Sequence, residues 1–580
     1  MSNSHDTGFT VEQEEKNGIT TVRSDVQEAG GPPGGSEGKT APADIHNIPY
    51  NNMKVVFPGI LLAVFMAALD QTITAVALPT IVNDIGGETG YSWVGTAYLL
   101  RKYLIELSRR FLLGSGVAPV YGKISDLFGR KPVYYFALFV FLLGSALCGA
   151  AQTFVWLAIC RGLQGIGGGG LIQLSQITVS DITPLHQRGN YLGMIGAIWG
   201  MASVVGPLVG GALTDASSWR WCFWINLPTG GIAAFIIFAF LKLNPTQKKT
   251  VREMAAAFDF LGLFLILGGI ACLLVGFNSG QTAWKTAETI ALLTVGGLLT
   301  MVALIHENFT KRNPIIPPRL FTMRTTAGIL VSTFLHGIAF FAGNYYLPVY
   351  FQVLGASAIM AGIKTMAYSF VSAMLASIAG LLVARTGKYR MILWCSWAVM
   401  TLGYGLMIRL NEKTSIALQE IYILIAALGV GPLFQVPLLV LQAAMPVKDM
   451  AMSTATFNLL RTIGGTIGIS IGDAIYATDL QRRLRSISGY HPSERKASSI
   501  TSSSNVLQPI QLRNEVFAAY TRSLSLIWVV MTPIVFVGFL FIIPVRTYSL
   551  KRPSRPTEPQ PKDTPGVSGT LSLAPPPSDI

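Results

Sequence analysis

The sequence predicts an all-α polytopic membrane protein, and three observations carry that expectation. Only 12% of the 580 residues are charged, while 51% are hydrophobic. Soluble proteins carry roughly 25% charged residues, so a water-exposed fold of this length would lack polar surface. The mean hydropathy is +0.49. The apolar residues also come in long runs with short polar breaks, which argues against a soluble enzyme.

The runs fall at about 54–81, 93–120, 132–151, 154–180, 191–214, 222–241, 260–278, 287–305, 326–354, 358–384, 391–410, 417–445, 451–478 and 521–545. Most are long enough to cross ~30 Å of hydrocarbon at 1.5 Å per residue. Residues 1–50 and 547–580 are polar and rich in Gly, Pro and Ser, and read as disordered tails. No short apolar segment with a small-residue cleavage site opens the chain, so a cleavable signal peptide is not expected.

Fourteen spans put both tails on one membrane face. The short loops on that face hold about 16 Lys and Arg, against about 4 on the other. Both termini are therefore expected to be cytoplasmic. The net charge of +14 is an orientation signal on this reading, and nucleic acid is not an expected partner. The cysteines at 148, 160, 222, 272 and 395 show no metal spacing and read as small buried hydrophobes.

One segment conflicts with this pattern. RKYLIELSRRFL, residues 101–112, puts Arg101, Lys102, Glu106, Arg109 and Arg110 inside the second run. Each charge costs roughly 2.5–3.5 kcal/mol at mid-membrane on insertion scales. Without it, WVGTAYL joins LGSGVAPVYGK as one span of ordinary length. Either a misplaced intron boundary adds the segment, or a charged insertion breaks this helix.

The loop after the second run reads GKISDLFGRK, from Gly122 to Lys131. Asp126, Arg130 and Lys131 put opposite charges at a membrane edge, where they can latch helices in one state and release them in another. A local ion pair in a basic loop is the simpler alternative. Asp70 lies about 16 residues from Lys54, roughly 24 Å into the membrane. A carboxylate there is costly unless paired, hydrated or protonated. It is read as proton-coupling, or else as a structural group bonded to Thr72 or Thr74. Arg161 is a second intramembrane charge, with Gln164 on its face. A direct Asp70–Arg161 pair is expected; bonding of Arg161 to main-chain carbonyls is the alternative. Gly165–Gly170 matches a dinucleotide-loop spacing, but within an apolar run it reads as helix packing. Gly206, Pro207, Gly210 and Gly211 allow a bend and a close approach in the fifth run.

These motifs resemble those of the major facilitator superfamily. Gly122–Lys131, with Gly129 and Arg130, resembles its motif A. LDQTITAVALP (Leu69–Pro79) is similar to the first-helix motif of its fourteen-span drug:proton antiporters. RGLQGIGGGG (Arg161–Gly170) resembles motif B, and GMASVVGPLVGG (Gly200–Gly211) the antiporter motif. WRWCFWINLPTGG (Trp219–Gly231) and RTIGGTIG (Arg461–Gly468) follow in family order, and fungal toxin and multidrug pumps look nearest.

The resemblance implies two six-helix bundles, 51–241 and 326–546, with two extra helices in 242–325 between them. It implies that Asp70 and Arg161 handle protons and that Gly200–Gly211 sets transport direction. Gln164, Phe341 and Tyr345 are candidates for the substrate cavity. Among other polar residues in apolar runs, His336 reads as a hydrogen-bonded structural residue or else a relay, Lys364 as snorkelling near the outer end, and Arg461 and Asp473, twelve apart, as unable to pair within one helix. The expected function is proton-coupled efflux of amphipathic organic molecules, with protons, cargo and lipid as partners. No cofactor or covalent catalysis is expected, and the chain reads as a monomer at the plasma membrane, or alternatively the vacuole. A basic amino acid or siderophore carrier, or a non-transporting sensor, are the other readings.

Overall fold

The computed structural model describes residues 46–85, 118–244, 253, 258–280, 284–310, 312, 316, 318–356, 358–487, 510–550 and 554–557. The charged segment 101–112 lies outside them.

The helices follow the apolar runs. In the first part they are α1 (Met53–Ile85), α2 (Ala118–Phe128), α3 (Arg130–Gly149), α4 (Phe154–Ile182), α5 (Leu185–Ala216) and α6 (Asn226–Phe240). A pair follows, α7 (Phe260–Gly280) and α8 (Ala287–Phe309). The rest are α9 (Arg324–Val353), α10 (Ala358–Thr386), α11 (Tyr389–Met407), α12 (Ile416–Val430), α13 (Val436–Ala444), α14 (Met450–Arg485) and α15 (Ile510–Ile542). Local chemistry sets several starts. Thr153 caps α4 by accepting from the Trp156 amide, and Thr286 caps α8 through the Thr289 amide. Gly129 precedes α3 at φ 93°, a left-handed conformation that favours glycine.

Among the described residues, 11 helices are long and apolar enough to cross a membrane. The other three expected spans differ for visible reasons. The second is described only from residue 118. The eleventh (α11) carries Arg390 in its first turn and several Trp and Tyr residues. The thirteenth (α14) is rich in Ser, Thr and Gly and continues to Arg485. The twelfth run is broken rather than continuous. A 3₁₀ turn, Gly431–Phe434, separates α12 from α13, and Pro432 and Pro437 remove main-chain donors there.

The segment 122–131, expected as a loop, is the end of α2 and the start of α3 joined at Gly129, and it shares one end of the bundle with the start of α1 and the end of α6. Asn51 donates to the Lys242 carbonyl at 2.7 Å, and Lys131 donates to the Leu241 carbonyl at 3.0 Å. We call this the loop end. Strands β1 (His46–Pro49) and β2 (Ser554–Thr557) pair in parallel and join the two tails. Small residues permit the closest helix crossings. A Cβ on Gly167 would overlap the Phe141 main chain, and one on Gly464 or Gly468 would overlap α9 carbonyls. The glycines after Arg161 therefore serve packing, as their sequence context implies.

Candidate functional site

Asp70 is only 4% exposed. Its carboxylate sits in a closed polar cage built by four helices. Arg161 Nη1, from α4, donates to Asp70 Oδ2 at 2.5 Å and to Gln164 Oε1 at 2.7 Å. Gln164 Nε2 donates to Asp70 Oδ1 at 2.8 Å and to Ser145 Oγ of α3 at 2.5 Å. Asn226 Nδ2, at the start of α6, donates to Asp70 Oδ1 at 3.3 Å and to Ser145 Oγ at 3.1 Å. The Arg161 guanidinium also lies 5.6 Å from the Phe223 ring centroid. Charge pairing offsets part of the burial cost, and neutral donors satisfy the remaining lone pairs.

The alternative partners do not reach the carboxylate. Thr74 Oγ1 donates to the Asp70 main-chain carbonyl at 2.9 Å. Thr72 Oγ1 donates to the Ala202 carbonyl of α5, also at 2.9 Å. Arg161 likewise bonds a carboxylate and an amide rather than main-chain carbonyls. Gln164 is 1% exposed and belongs to the cage, with its bonds directed at Asp70, Arg161 and Ser145.

The antiporter-like segment packs next to this cage. A Cβ on Gly206 would overlap the Thr72 side chain, and one on Gly210 would stand 2.7 Å from the Ile73 carbonyl. So α5 crosses α1 directly after Asp70. Gly200 faces the other way, where a Cβ would stand 2.6 Å from Ala373 Cβ of α10. Helix α5 continues through Pro207, with Gly211 half-buried.

At the loop end, Arg130 is the centre of a second cluster. It pairs with Asp126 at 2.6 Å and with Asp181, at the end of α4, at 2.8 Å. Its Nη1 donates to Ser125 Oγ at 2.6 Å. Burial pushes the Asp126 carboxyl up, and Arg130 pulls it back only in part. Lys131 is not part of the cluster; it donates to the Phe238 and Leu241 carbonyls and caps α6.

The contact across to the later helices comes from Gly122, where a Cβ would lie 3.1 Å from Ala455 Cβ of α14. Three further bridges cross at this end. Arg188 Nη1 donates to Gln442 Oε1 at 3.4 Å. Gln442 Nε2 donates to Ser180 Oγ at 2.9 Å. Ser377 Oγ of α10 donates to the Gly193 carbonyl at 2.7 Å. Deeper in, Asn458 of α14 donates to Gln173 Oε1 and Gln176 Oε1 of α4 at 2.6 and 2.7 Å. The loop end is closed.

Phe341 lies against Gly465, and Tyr345 is 44% exposed beside Tyr346 at 5.0 Å between ring centroids. His336 is buried and bonds the Val430 carbonyl at 3.3 Å. Lys364 sits with Nζ 5.1 Å from the Phe351 ring centroid. Sequence reasoning missed Ser145, Asn226, Arg188, Gln442 and Asn458. Asn226 stood inside a quoted motif, and its position at a helix start within an apolar run was the available signal.

A bundle of membrane-length apolar helices with a buried ion pair and interhelical seams of small residues is the architecture of a polytopic membrane protein. The sequence profile of the Major Facilitator Superfamily matches residues 60–469, and the chain belongs to that family. A transporter of Schizosaccharomyces pombe is 38% identical over 496 residues, 85% of this chain and 81% of its own length. The efflux pump dotC of Dothistroma septosporum is 37% identical over 519 residues, 88% of this chain and 87% of its own. The crystal structure of the human organic anion transporter MFSD10 superposes with a TM-score of 0.56 at 15% identity. It covers 85% of this chain and all of that one. The protein is a membrane transporter of small molecules.

Proposed function

We propose that the chain exports amphipathic organic molecules, such as a fungal secondary metabolite, toxin or drug, in exchange for protons. The observation that carries this reading is the Asp70–Arg161 pair inside its cage. A proton reaching Asp70 removes the negative partner and leaves Arg161 as an unpaired buried cation. The arrangement then has a reason to change, and loss of the proton restores it. One proton crossing ~150 mV supplies ~3.5 kcal/mol, enough for a gradient of a few hundred-fold. Two six-helix bundles, 51–241 and 326–546, would rock about the cargo with the α7–α8 pair between them. Both tails would face the cytoplasm, at the plasma membrane.

The test is flux in proteoliposomes under an imposed pH gradient. Cargo accumulates against its gradient in the wild type, and Asp70→Asn abolishes that accumulation while the protein stays folded in the bilayer. Uphill export by the Asp70→Asn protein would sink the reading. Binding of cargo with no flux would favour a sensor instead.

A further inference from the structure

The bundle holds two mid-helix arginines in different settings. Arg161 has Asp70 as a counter-charge. Arg461, on α14, has none within 4.0 Å among the described residues. Its Nη2 donates to the carbonyls of Leu433 and Phe434 at 3.2 and 2.9 Å. Those carbonyls belong to the break between α12 and α13. Its Nε is buried and has no acceptor. Two carbonyl dipoles do not neutralise a guanidinium, and an uncompensated charge at this depth is costly.

The surroundings are aromatic. The guanidinium carbon lies 4.9 Å from the Phe434 ring centroid and 4.5 Å from that of Phe457. Phe341 rests on Gly465, one turn further along α14. Phe340 joins Phe341 and Phe434 edge-to-face at 5.2 and 4.8 Å. Arg461 is partly exposed as a residue, although its Nε is covered. It also lies one turn from Asn458, at the seam with α4, the helix that carries Arg161.

We propose that Arg461, walled by these rings, anchors a carboxylate or equivalent monoanion on an aromatic cargo. The anion supplies the missing counter-charge to the guanidinium in a charge-assisted bond. The partly exposed rings of Phe340, Phe341 and Phe434 stack against the cargo's ring, while Phe457 is buried behind the guanidinium. The cargo thus binds on the opposite side of the seam from the Asp70 cage, so a proton and an anion need not compete for one site. This deepens the exporter reading and rests on it.

The test uses purified full-length protein at pH 7.5, with 1-pyrenebutyrate and its neutral primary amide as probes, read by fluorescence anisotropy. Wild-type protein should bind the carboxylate at least about tenfold tighter than the amide. Arg461→Gln should bring the carboxylate down to the amide's affinity while amide binding stays within about twofold, which also reports an intact site. Arg461→Lys should keep a preference for the carboxylate. Equal affinities in the wild type overturn the proposal without reference to any variant, as does a preference that survives Arg461→Gln. Proton-driven flux of the neutral amide, with and without Asp70, tests the exporter reading separately. A failed anion preference with intact flux condemns only the anchor; an intact preference without flux condemns only the exporter.

Discussion

Gly206 and Thr72 occupy adjoining space so tightly that a methyl group on Gly206 would overlap the Thr72 side chain. Thr72 in turn donates to the Ala202 carbonyl one turn earlier on α5. The α1–α5 crossing is thus fixed two residues from Asp70. Overpacking at such a contact costs about 1–3 kcal/mol and displaces main chain. Gly206→Ala should therefore cut proton-driven flux by roughly tenfold or more while the protein still inserts. Thr72→Ala on that background removes part of the clash and should restore some flux. Wild-type rates in Gly206→Ala would show that this crossing does not govern the cage.

The cage itself makes a thermodynamic prediction. Removing one member of a buried pair leaves an uncompensated charge, at a cost of about 3–5 kcal/mol. Arg161→Gln alone should lower stability by that order, measured as loss of monodisperse protein on heating. Asp70→Asn with Arg161→Gln removes both charges and should be more stable than Arg161→Gln alone. Additive losses in the double variant would mean that the two side chains are not energetically coupled.

Much of this site was readable because charged residues are rare in the apolar runs. Asp70 and Arg161 stood out on that ground, and their pairing follows from the cost of leaving either alone. Asn226 and Ser145 were not readable in the same way. Neutral polar residues are common in membrane helices, and their role depends on α3 and α6 meeting at Asp70. The loop carried the opposite lesson. Its charges drew attention, yet Lys131 caps α6, and the residue meeting α14 is Gly122. The break at Gly431–Phe434 was hidden inside one apolar run, although Pro432 and Pro437 mark it.

Gly122 leads to a conformational prediction. A Cβ there stands 3.1 Å from Ala455 Cβ and 3.4 Å from the Ala451 carbonyl, so a branched side chain would wedge α2 from α14. Gly122→Val should shift the population toward a form with the loop end open. Cysteines placed at Gly193 and Ser377, which meet across the same end, report this by cross-linking. Their cross-linking should fall several-fold in Gly122→Val relative to Gly122→Ala. Equal yields in the two backgrounds would mean that α2 and α14 can separate without opening this end.

At the opposite end, Asp84 ties α1 to the Trp219–Arg220 turn. Trp219 Nε1 donates to Asp84 Oδ2 at 2.8 Å, and Arg220 Nη1 does so at 3.1 Å. The Trp219 bond, then Arg220, holds the Asp84 carboxyl below its ordinary value of 3.8. A depressed folded-state value means that the stabilisation is present above about pH 4 and fades as the pH falls through the folded value. Its size is small, because Asp84 is half exposed and the ion pair is screened by water. Asp84→Asn should therefore lower the melting temperature slightly at pH 7. The gap from wild type should narrow as the pH falls below the ordinary value of 3.8 toward the lowered folded value. A gap that stays constant through this range would assign the Trp219 contact to packing alone rather than to the carboxylate charge.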